Sequence, residues 1–214
     1  MKQGQTAASG TGASGATVRA LPFVGDDAAL VLAMRGGHPS AAAAMFDRHG
    51  VHVRRVLVRL LGHDGETLDR VHDVFVRALD GIGSLSDPSA LKAWLTRIAV
   101  FTAREHIRKK VRRRWLWFVD DVPEVEAPSP TPEVNEALRA TYAVLGKMPE
   151  DERIPFALRF LDGMELTEVA DACDVSLATV KRRLSRAETR FVEEAARQPV
   201  LREWLEGGTR WSSH

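Results

Sequence analysis

Two short helical patterns joined by a tight turn, between Leu166 and Leu184, constrain this chain more than any other feature. In the first pattern, apolar residues fall on one helical face by their spacing, and they are Val169, Ala170 and Cys173. The second pattern repeats that spacing with Leu177, Val180 and Leu184. We therefore predict two helices that pack together through these faces.

The residues between and after the two apolar faces add a turn, a cap and a set of cations. Asp174 tolerates the left-handed backbone of a tight turn, and Ser176 is a good N-cap for the helix that follows. With the apolar face inward, we expect four cations to point outward: Lys181, Arg182, Arg183 and Arg186. A helix-turn-helix with a major-groove recognition helix has this layout. An αα-hairpin with a solvated basic face has it too, and this stretch by itself leaves both open.

Charge is segregated along the 214 residues, although the net charge is only +1. Residues 104–114 are almost wholly basic, whereas residues 120–136 carry six acidic residues and no Lys or Arg. A basic block of this kind indicates a polyanionic partner, and the acidic block indicates a different role.

Cysteine usage and hydropathy exclude several classes of protein. The single Cys173 excludes an internal disulfide framework and fits a reducing compartment. The chain has no apolar run of membrane-spanning length and no signal-peptide pattern, so we predict a cytoplasmic protein. Its seven histidines follow no metal-binding motif, and no phosphate-binding loop or nucleophile motif occurs. We expect no enzymatic activity, no cofactor and no metal.

Apolar periodicity is helical throughout, with no alternating strand pattern, so we predict an all-α fold. The third helix should bury Leu68, Val71, Phe75 and Leu79, and the fourth Leu91, Trp94, Leu95, Ile98 and Phe101. We predict two small helical domains joined by an extended linker, in this order: a disordered N-terminal extension at 1–24, a helical domain at 25–118, a Pro-rich acidic linker at 119–132, a helix-turn-helix domain at 133–197, and a tail at 198–214.

Several further motifs lie on the predicted helices. In the second domain they are Met148-Pro149-Glu150, Gly163, Glu168-Val169-Ala170 and the run from Leu177 to Ala187. The first domain adds the runs Asp69–Phe75 and Leu91–Ala99. With these motifs in this order, the chain resembles the extracytoplasmic-function group of bacterial sigma-70 factors over about residues 26–190.

The resemblance implies a factor that binds core RNA polymerase and directs it to promoters through two DNA elements. Its second domain would read the minus-thirty-five element as duplex, through Thr179, Lys181, Arg182, Arg183 and Arg186. Some of these cations would contact phosphates rather than bases. An anti-sigma factor is a further partner that the family implies.

The first domain would melt and hold the minus-ten element, which requires cations along the exposed backbone and apolar surfaces for unstacked bases. The residues placed there by the resemblance are Arg104, Arg108, Lys109, Arg112, Arg113 and Trp115. The residues aligned with the family's polymerase contact are Asp69, Val71, His72 and Asp73.

Several positions depart from the family pattern. Arg70 and His72 replace Leu and Gln in the polymerase motif, and Val100-Phe101 replaces Arg-Asn in the fourth helix. The sequence therefore leaves open how tightly this protein would bind polymerase and which minus-ten sequence it would prefer. Glu165 stands where the family has a small polar cap, and Thr167 can take over that cap with a shifted helix start.

Two other functions remain open at this stage. A stand-alone helix-turn-helix regulator would bind promoter duplex without polymerase, but it leaves the polymerase-like motif of the first domain unexplained. A degenerate sigma factor that titrates an anti-sigma partner would account for the departures.

Overall fold

The computed structural model describes residues 23–62, 65–117 and 132–207, and the side chains of 113–117, 133 and 204–207 lie outside that description. The predicted linker at 119–132 falls outside it as well, except for Pro132, as do nearly all of the N-terminal extension and the last seven residues of the tail.

Helices account for most of the described residues, and no strand occurs among them, which confirms the all-α prediction. The helices are α1 (Asp27–Arg35), α2 (Ala41–Leu61), α3 (Thr67–Gly81), α4 (Leu91–Trp117), α5 (Pro132–Lys147), α6 (Glu150–Phe156), α7 (Leu166–Cys173), α8 (Leu177–Ala195) and α9 (Pro199–Gly207). Short 3₁₀ segments at Ile82–Ser84 and Pro88–Ala90 precede α4, and a π-helical turn at Ala157–Leu161 continues α6.

The first half of the molecule, α1–α4, is built around α2, which packs against α1, α3 and α4. Large apolar side chains from three of these helices are fully buried there: Leu30, Met45, Leu57, Leu60, Leu91 and Leu95. Full burial of one such side chain contributes about 1.5–3 kcal/mol relative to exposure. This core fixes the orientation of α4.

The second half, α5–α9, is organised around α8, which packs against α5, α6 and α7. The rings of Phe156 in α6 and Phe191 in α8 stack with centroids 4.8 Å apart. Val180 and Leu184 turn inward from α8, as predicted, and so do Val169, Ala170 and Cys173 from α7. Helix α8 is therefore packed along one side over most of its length.

Four of the residues predicted to be buried are exposed. In α3 the buried stripe runs through Val71, Val74, Phe75 and Ala78. Leu68 and Leu79 lie beside that stripe and are 69% and 43% exposed. The prediction was wrong for both because a spacing of three or four residues spans a broad helical sector, of which only the centre meets α2 and α4.

Phe101 in α4 and Leu177 in α8 are the other two, at 48% and 38% exposed. The inward face of α4 there is formed by Ala99, Val100 and Ala103, and Phe101 lies away from them. Leu177 is the first residue of α8.

The two halves also pack against each other, through α4 on α7 and α6 and through α2 on the π-helical turn. Two buried side chains of the second half donate hydrogen bonds to the last carbonyls of α2. The Tyr142 hydroxyl lies 2.7 Å from the Val58 oxygen. The Arg153 Nη2 lies 2.8 Å from the Leu60 oxygen. The Leu60 carbonyl is one that a helix C-terminus leaves without an intrahelical partner, whereas the Val58 carbonyl also accepts from the Gly62 N–H.

Candidate nucleic-acid interface

The turn between α7 and α8 has the geometry that the sequence predicts. Asp174 adopts the left-handed conformation, with φ 56° and ψ 50°. Ser176 is the N-cap of α8, and its hydroxyl oxygen accepts a hydrogen bond from the Thr179 N–H at 3.2 Å. The Thr179 hydroxyl lies 3.0 Å from that same oxygen, so its side chain takes part in the cap.

Helix α7 begins at Leu166 with Glu165 as its N-cap residue, so the expected shift of the cap to Thr167 was wrong. The Glu168 carboxylate explains the difference, because it accepts a hydrogen bond from the Glu165 N–H at 2.8 Å. This is one arm of a capping box, which stabilises a helix start that lacks Ser or Thr at the N-cap.

The outward face of α8 carries two exposed cations that are not paired with an acidic residue among the described residues. Lys181 and Arg182 are exposed, and the described part of the chain gives neither of them an ion pair or side-chain hydrogen bond. Ala178 and Ser185 are exposed on either side of them. The sequence analysis did not single out these two small residues, although helical spacing from Lys181 and Arg182 would have placed them on the same face.

Three other arginines of α8 contact the acidic start of α6. Arg183 Nε lies 3.5 Å from an Asp151 oxygen, and its side chain is mostly buried. Arg186 Nε and Arg190 Nε lie 3.3 Å and 2.9 Å from the two carboxylate oxygens of the buried Glu152. The prediction that all four cations point outward is therefore wrong for Arg183, which α6 attracts.

Some cations of α4 also pair with an acidic residue of α6, and others are exposed. The Arg108 Nε donates to both oxygens of Glu150 in α6, at 2.8 Å each, and Arg104 Nε lies 3.9 Å from the same carboxylate. Lys109 and Arg112 are exposed. Arg113 and Trp115 lie on α4, but their side chains are outside the described set.

A groove of about 1080 Å³ separates α4 from the turn between α7 and α8. The Arg77 guanidinium carbon lies 5.0 Å above the centre of the Phe101 ring in its wall, within range of a cation–π contact. Arg97 from α4 reaches across the groove to Asp174, with Nη2 3.0 Å from the carboxylate oxygen. The groove thus combines an exposed aromatic ring with guanidinium groups.

The outer face of α3 carries Asp69, His72 and Asp73, and all three are exposed. Val71 is buried in the core, so its assignment to a partner surface was wrong. Arg70 is held within the molecule, where its Nε donates to His106 Nδ1 in α4 at 3.0 Å. Exposed apolar residues share this side of α3, and they are Leu68, Val76 and Leu79.

Two groups with displaced pKa values lie inside the structure. Burial raises the pKa of the Cys173 thiol to about 11, so it is protonated at neutral pH. Burial and, next, the Lys92 charge lower the pKa of His52 to about 4. Its Nε2 lies 2.8 Å from the Thr96 hydroxyl, which donates its own proton to the Lys92 carbonyl. His52 must therefore donate to Thr96 as a neutral imidazole.

Within residues 23–62, 65–117 and 132–207, no three or more His, Cys, Asp and Glu side chains are grouped as a metal site. Among the same residues, every helix is too short or too polar to cross a membrane.

Two family descriptions match the two halves of the chain. Residues 45–113 match Sigma-70 region 2, and residues 138–191 match Sigma-70, region 4. Together they cover more than half of the chain and include both α4 and the helix-turn-helix. This chain belongs to the sigma-70 family. The order of the matches along this sigma-70 family member is the one that the sequence motifs predict.

Curated proteins similar to this family member include RNA polymerase sigma factors from two bacteria. It is 27% identical to the ECF RNA polymerase sigma-E factor of Escherichia coli strain K12 over 187 residues, covering 82% of this chain and 96% of that protein. It is 26% identical to the RNA polymerase sigma-H factor of Pseudomonas aeruginosa over 188 residues, covering 83% and 96%.

Solved structures share its fold. CnrH, determined in complex with the cytosolic domain of CnrY, is 22% identical, with a TM-score of 0.57 over 80% of this chain and 98% of that chain. The sigma factor RpoE from Bartonella quintana, determined with the anti-sigma factor NepR, is also 22% identical, with a TM-score of 0.55 over 71% and 94%.

Proposed function

We propose that this protein binds core RNA polymerase and directs it to a defined class of promoters. The observation that carries the proposal is the pair Lys181 and Arg182, exposed on the second helix of a helix-turn-helix. Such a helix enters the major groove with its N-terminal residues at the base edges. The second half of the chain therefore reads the minus-thirty-five element as duplex.

The contacts of α8 divide its cations into two roles in this proposal. Arg182 reads a base, since a bidentate arginine–guanine contact discriminates by about 1–3 kcal/mol, and Lys181 contacts either a base or a phosphate. Arg183 and Arg186 contact the acidic start of α6, so we assign them to positioning the helix and neutralising nearby phosphate. Thr179 contributes through the cap that orients the first turn of α8.

The first half holds the melted minus-ten element along α4. Lys109 and Arg112 are accessible to its phosphates, and we assign Arg104, Arg108, Arg113 and Trp115 to the same surface. Phe101 adds an exposed ring beside Arg77, on which an unstacked base can lie. This ring stands where the family carries Asn, so we expect a minus-ten preference set by stacking more than by hydrogen bonds.

The outer face of α3 is the surface that we assign to the polymerase. Asp69, His72 and Asp73 supply its polar contacts, and three exposed apolar residues lie with them: Leu68, Val76 and Leu79. An apolar patch with polar neighbours is typical of a protein–protein interface. Arg70 does not contribute a free charge to this surface, because it contacts His106.

An anti-sigma factor is the second protein partner that we propose. RpoE was determined in complex with such a factor. Candidate domains encoded beside the gene for this chain can be co-expressed with it. A true partner would co-purify with this protein and would abolish the transcript that this protein supports in run-off transcription. A domain that does neither is not the partner.

Run-off transcription with bacterial core polymerase, on the DNA upstream of the gene for this chain, tests the main proposal. We expect a discrete transcript that requires the protein and is lost with Arg182→Ala. Arg139→Ala is the matched control, because Arg139 is an exposed arginine on α5, and it should leave the transcript intact.

Binding to core polymerase distinguishes the alternatives. Duplex binding without any affinity for core would contradict the sigma proposal and favour a stand-alone regulator. Binding to core with no transcript on any tested promoter would instead favour a titrating role.

A further inference from the structure

We propose that Glu152 is a positioning residue for promoter recognition. It sets the rotation of α8 about its own axis, and with it the placement of Lys181 and Arg182 against the base edges. The inference rests on the proposed function, because it concerns how that reading surface is held. Glu152 lies on α6 and is only 5% exposed, so its carboxylate acts through α8 rather than by touching DNA.

The Glu152 carboxylate bridges one turn of α8. Its Oε1 lies 3.3 Å from Arg186 Nε, and its Oε2 accepts a hydrogen bond from Arg190 Nε at 2.9 Å. The two arginines are four residues apart, so their side chains are neighbours on the helix surface. Because each oxygen meets a different turn of α8, the pair of contacts defines both the rotation and the axial position of the helix.

Asp151 extends the same row of contacts toward the start of α8. Its carboxylate lies 3.5 Å from Arg183 Nε and 3.9 Å from Arg186 Nη2. Arg183, Arg186 and Arg190 follow a spacing of three and four residues, which places them in one stripe along α8. The Asp151 side chain is 42% exposed and that of Glu152 only 6%, so water weakens the contacts of Asp151 more than those of Glu152.

Apolar packing holds α8 in place but defines its rotation less sharply than the Glu152 contacts do. Val180, Leu184 and Phe191 are buried on the inward face of α8, and burial of apolar area is non-directional. Hydrogen bonds between charged groups depend on both distance and angle. At the outer radius of a helix, about 5–6 Å, a rotation of about 20° moves a side-chain tip by about 2 Å. A shift of that size separates Arg182 from its base, so the Glu152 contacts determine whether that base is read.

The helix that carries Glu152 is itself fixed in the core. Ile154 and Phe156 of α6 are fully buried, and the Phe156 ring stacks on Phe191 of α8. Protein interiors of this kind are close-packed and resist small displacements. A buried carboxylate on such a helix is a fixed reference point for the orientation of α8.

Fluorescence anisotropy of the full-length protein with two labelled duplexes tests the positioning role, at low salt where phosphate contacts are strongest. One duplex is the DNA upstream of the gene for this chain, and the other has the same length and a scrambled sequence. The test variant is Glu152→Gln, which keeps the side-chain shape and removes the charge. Its control is Glu193→Gln, which makes the same charge change at an exposed acid of α8.

Arg190→Gln is a second test variant, matched to Arg139→Gln at an exposed arginine of α5. It removes the 2.9 Å hydrogen bond at a side chain that is about half exposed, so the fold should survive even where Glu152→Gln unfolds the protein. Circular dichroism checks that each variant is folded at the assay temperature. The double variant, Glu152→Gln with Arg190→Gln, should lose no more preference than Glu152→Gln alone, because both changes act through the same contact.

We expect both test variants to lower the preference for the upstream duplex over the scrambled one by about fivefold or more relative to their controls, the discrimination of one bidentate arginine–base contact. For Glu152→Gln, affinity for the scrambled duplex should stay within about twofold of its control, since that affinity depends on phosphate contacts. An equal preference in test and control variants would overturn the proposal. An equal loss of affinity for both duplexes in a folded variant would overturn it too, because a merely structural role affects all DNA alike.

Run-off transcription with the wild type separates this inference from the proposed function. A transcript, together with equal preferences in test and control variants, would refute the positioning role and leave the sigma function in place. A lowered preference in the test variants, with no affinity of the wild type for core polymerase, would support the positioning role and count against the sigma function. A wild-type protein that binds both duplexes equally and gives no transcript would overturn both.

Discussion

The hydroxyl of Tyr142 in α5 donates a hydrogen bond to the Val58 carbonyl of α2 across the boundary between the two halves, at 2.7 Å. The same carbonyl accepts from the Gly62 N–H at 2.9 Å. Gly62 has a φ of 90°, and the face of the Tyr142 ring lies beside it. The end of α2 and the packing of the second half are therefore one structural unit.

Replacing Tyr142 by Phe should lower the free energy of unfolding by about 0.5–1.5 kcal/mol, the usual net contribution of one hydrogen bond. The loss is moderate because Val58 keeps its bond to Gly62. Chemical denaturation measures it. Thr102→Val is the control, since the buried Thr102 hydroxyl has no hydrogen-bond partner among the described residues. Its removal should leave stability unchanged or raise it, and equal losses in both variants would contradict the assignment.

Arg182 and Arg183 should respond differently to alanine although they are neighbours. Arg183→Ala should lower the free energy of unfolding by up to about 1 kcal/mol, because it removes the Asp151 contact and mostly buried packing. Arg182→Ala should change it by less than about 0.5 kcal/mol, as expected for an exposed residue. Thermal melts of both proteins decide this, and an equal effect of the two substitutions would show that Arg183 is not held by α6.

The imidazole of His52 should make stability depend on pH. Its pKa is about 4 when folded, against 6.5 ordinarily, so between these values the unfolded chain binds a proton that the folded chain does not. Stability is then fully present above pH 6.5 and falls as pH drops toward 4. Because the ring is partly exposed, we expect a loss of about 1 kcal/mol.

His52→Gln should flatten the curve of unfolding free energy against pH in that window, while His72→Gln, at an exposed position, should leave it unchanged. Denaturation at several pH values between 4 and 7 makes the comparison. If the His52→Gln and wild-type curves remain parallel, the pH dependence arises elsewhere.

Phe101→Ala should weaken binding of a single-stranded oligonucleotide by about 1–3 kcal/mol, the contribution of one base stacked on an aromatic ring. The effect should be measured with the full-length protein by fluorescence anisotropy of a labelled oligonucleotide. Phe46→Ala is a suitable control, because Phe46 is exposed on α2 outside the groove. A similar small change in both variants would exclude stacking on Phe101.

Local features were predictable where neighbouring residues determine them. The left-handed Asp174 and the Ser176 cap follow from the chemistry of those residue types, and the structure confirms both. The prediction of burial was wrong for Leu68 and Phe101. Periodicity identifies a helical face but not the width of the neighbouring surface that covers it.

Contacts between residues far apart in sequence could not be predicted. The pairing of Arg108 with Glu150, and of Arg97 with Asp174, depends on how α4 packs against α6 and α7. Nothing in the basic block of α4 indicates which acidic residues it meets, so the cations proposed to contact DNA looked uniformly accessible from the sequence.

Arg153 makes the boundary between the halves less stable than its apolar packing alone would make it. The residue is only 9% exposed, and burial lowers the pKa of its guanidinium to about 10. It donates to the Leu60 carbonyl, and no carboxylate is paired with it in the described residues. Separation of the halves would return this cation to water, and the recovered hydration would offset part of the apolar contact that is lost. The boundary between the halves thus contains a buried cation whose desolvation opposes the apolar packing beside it.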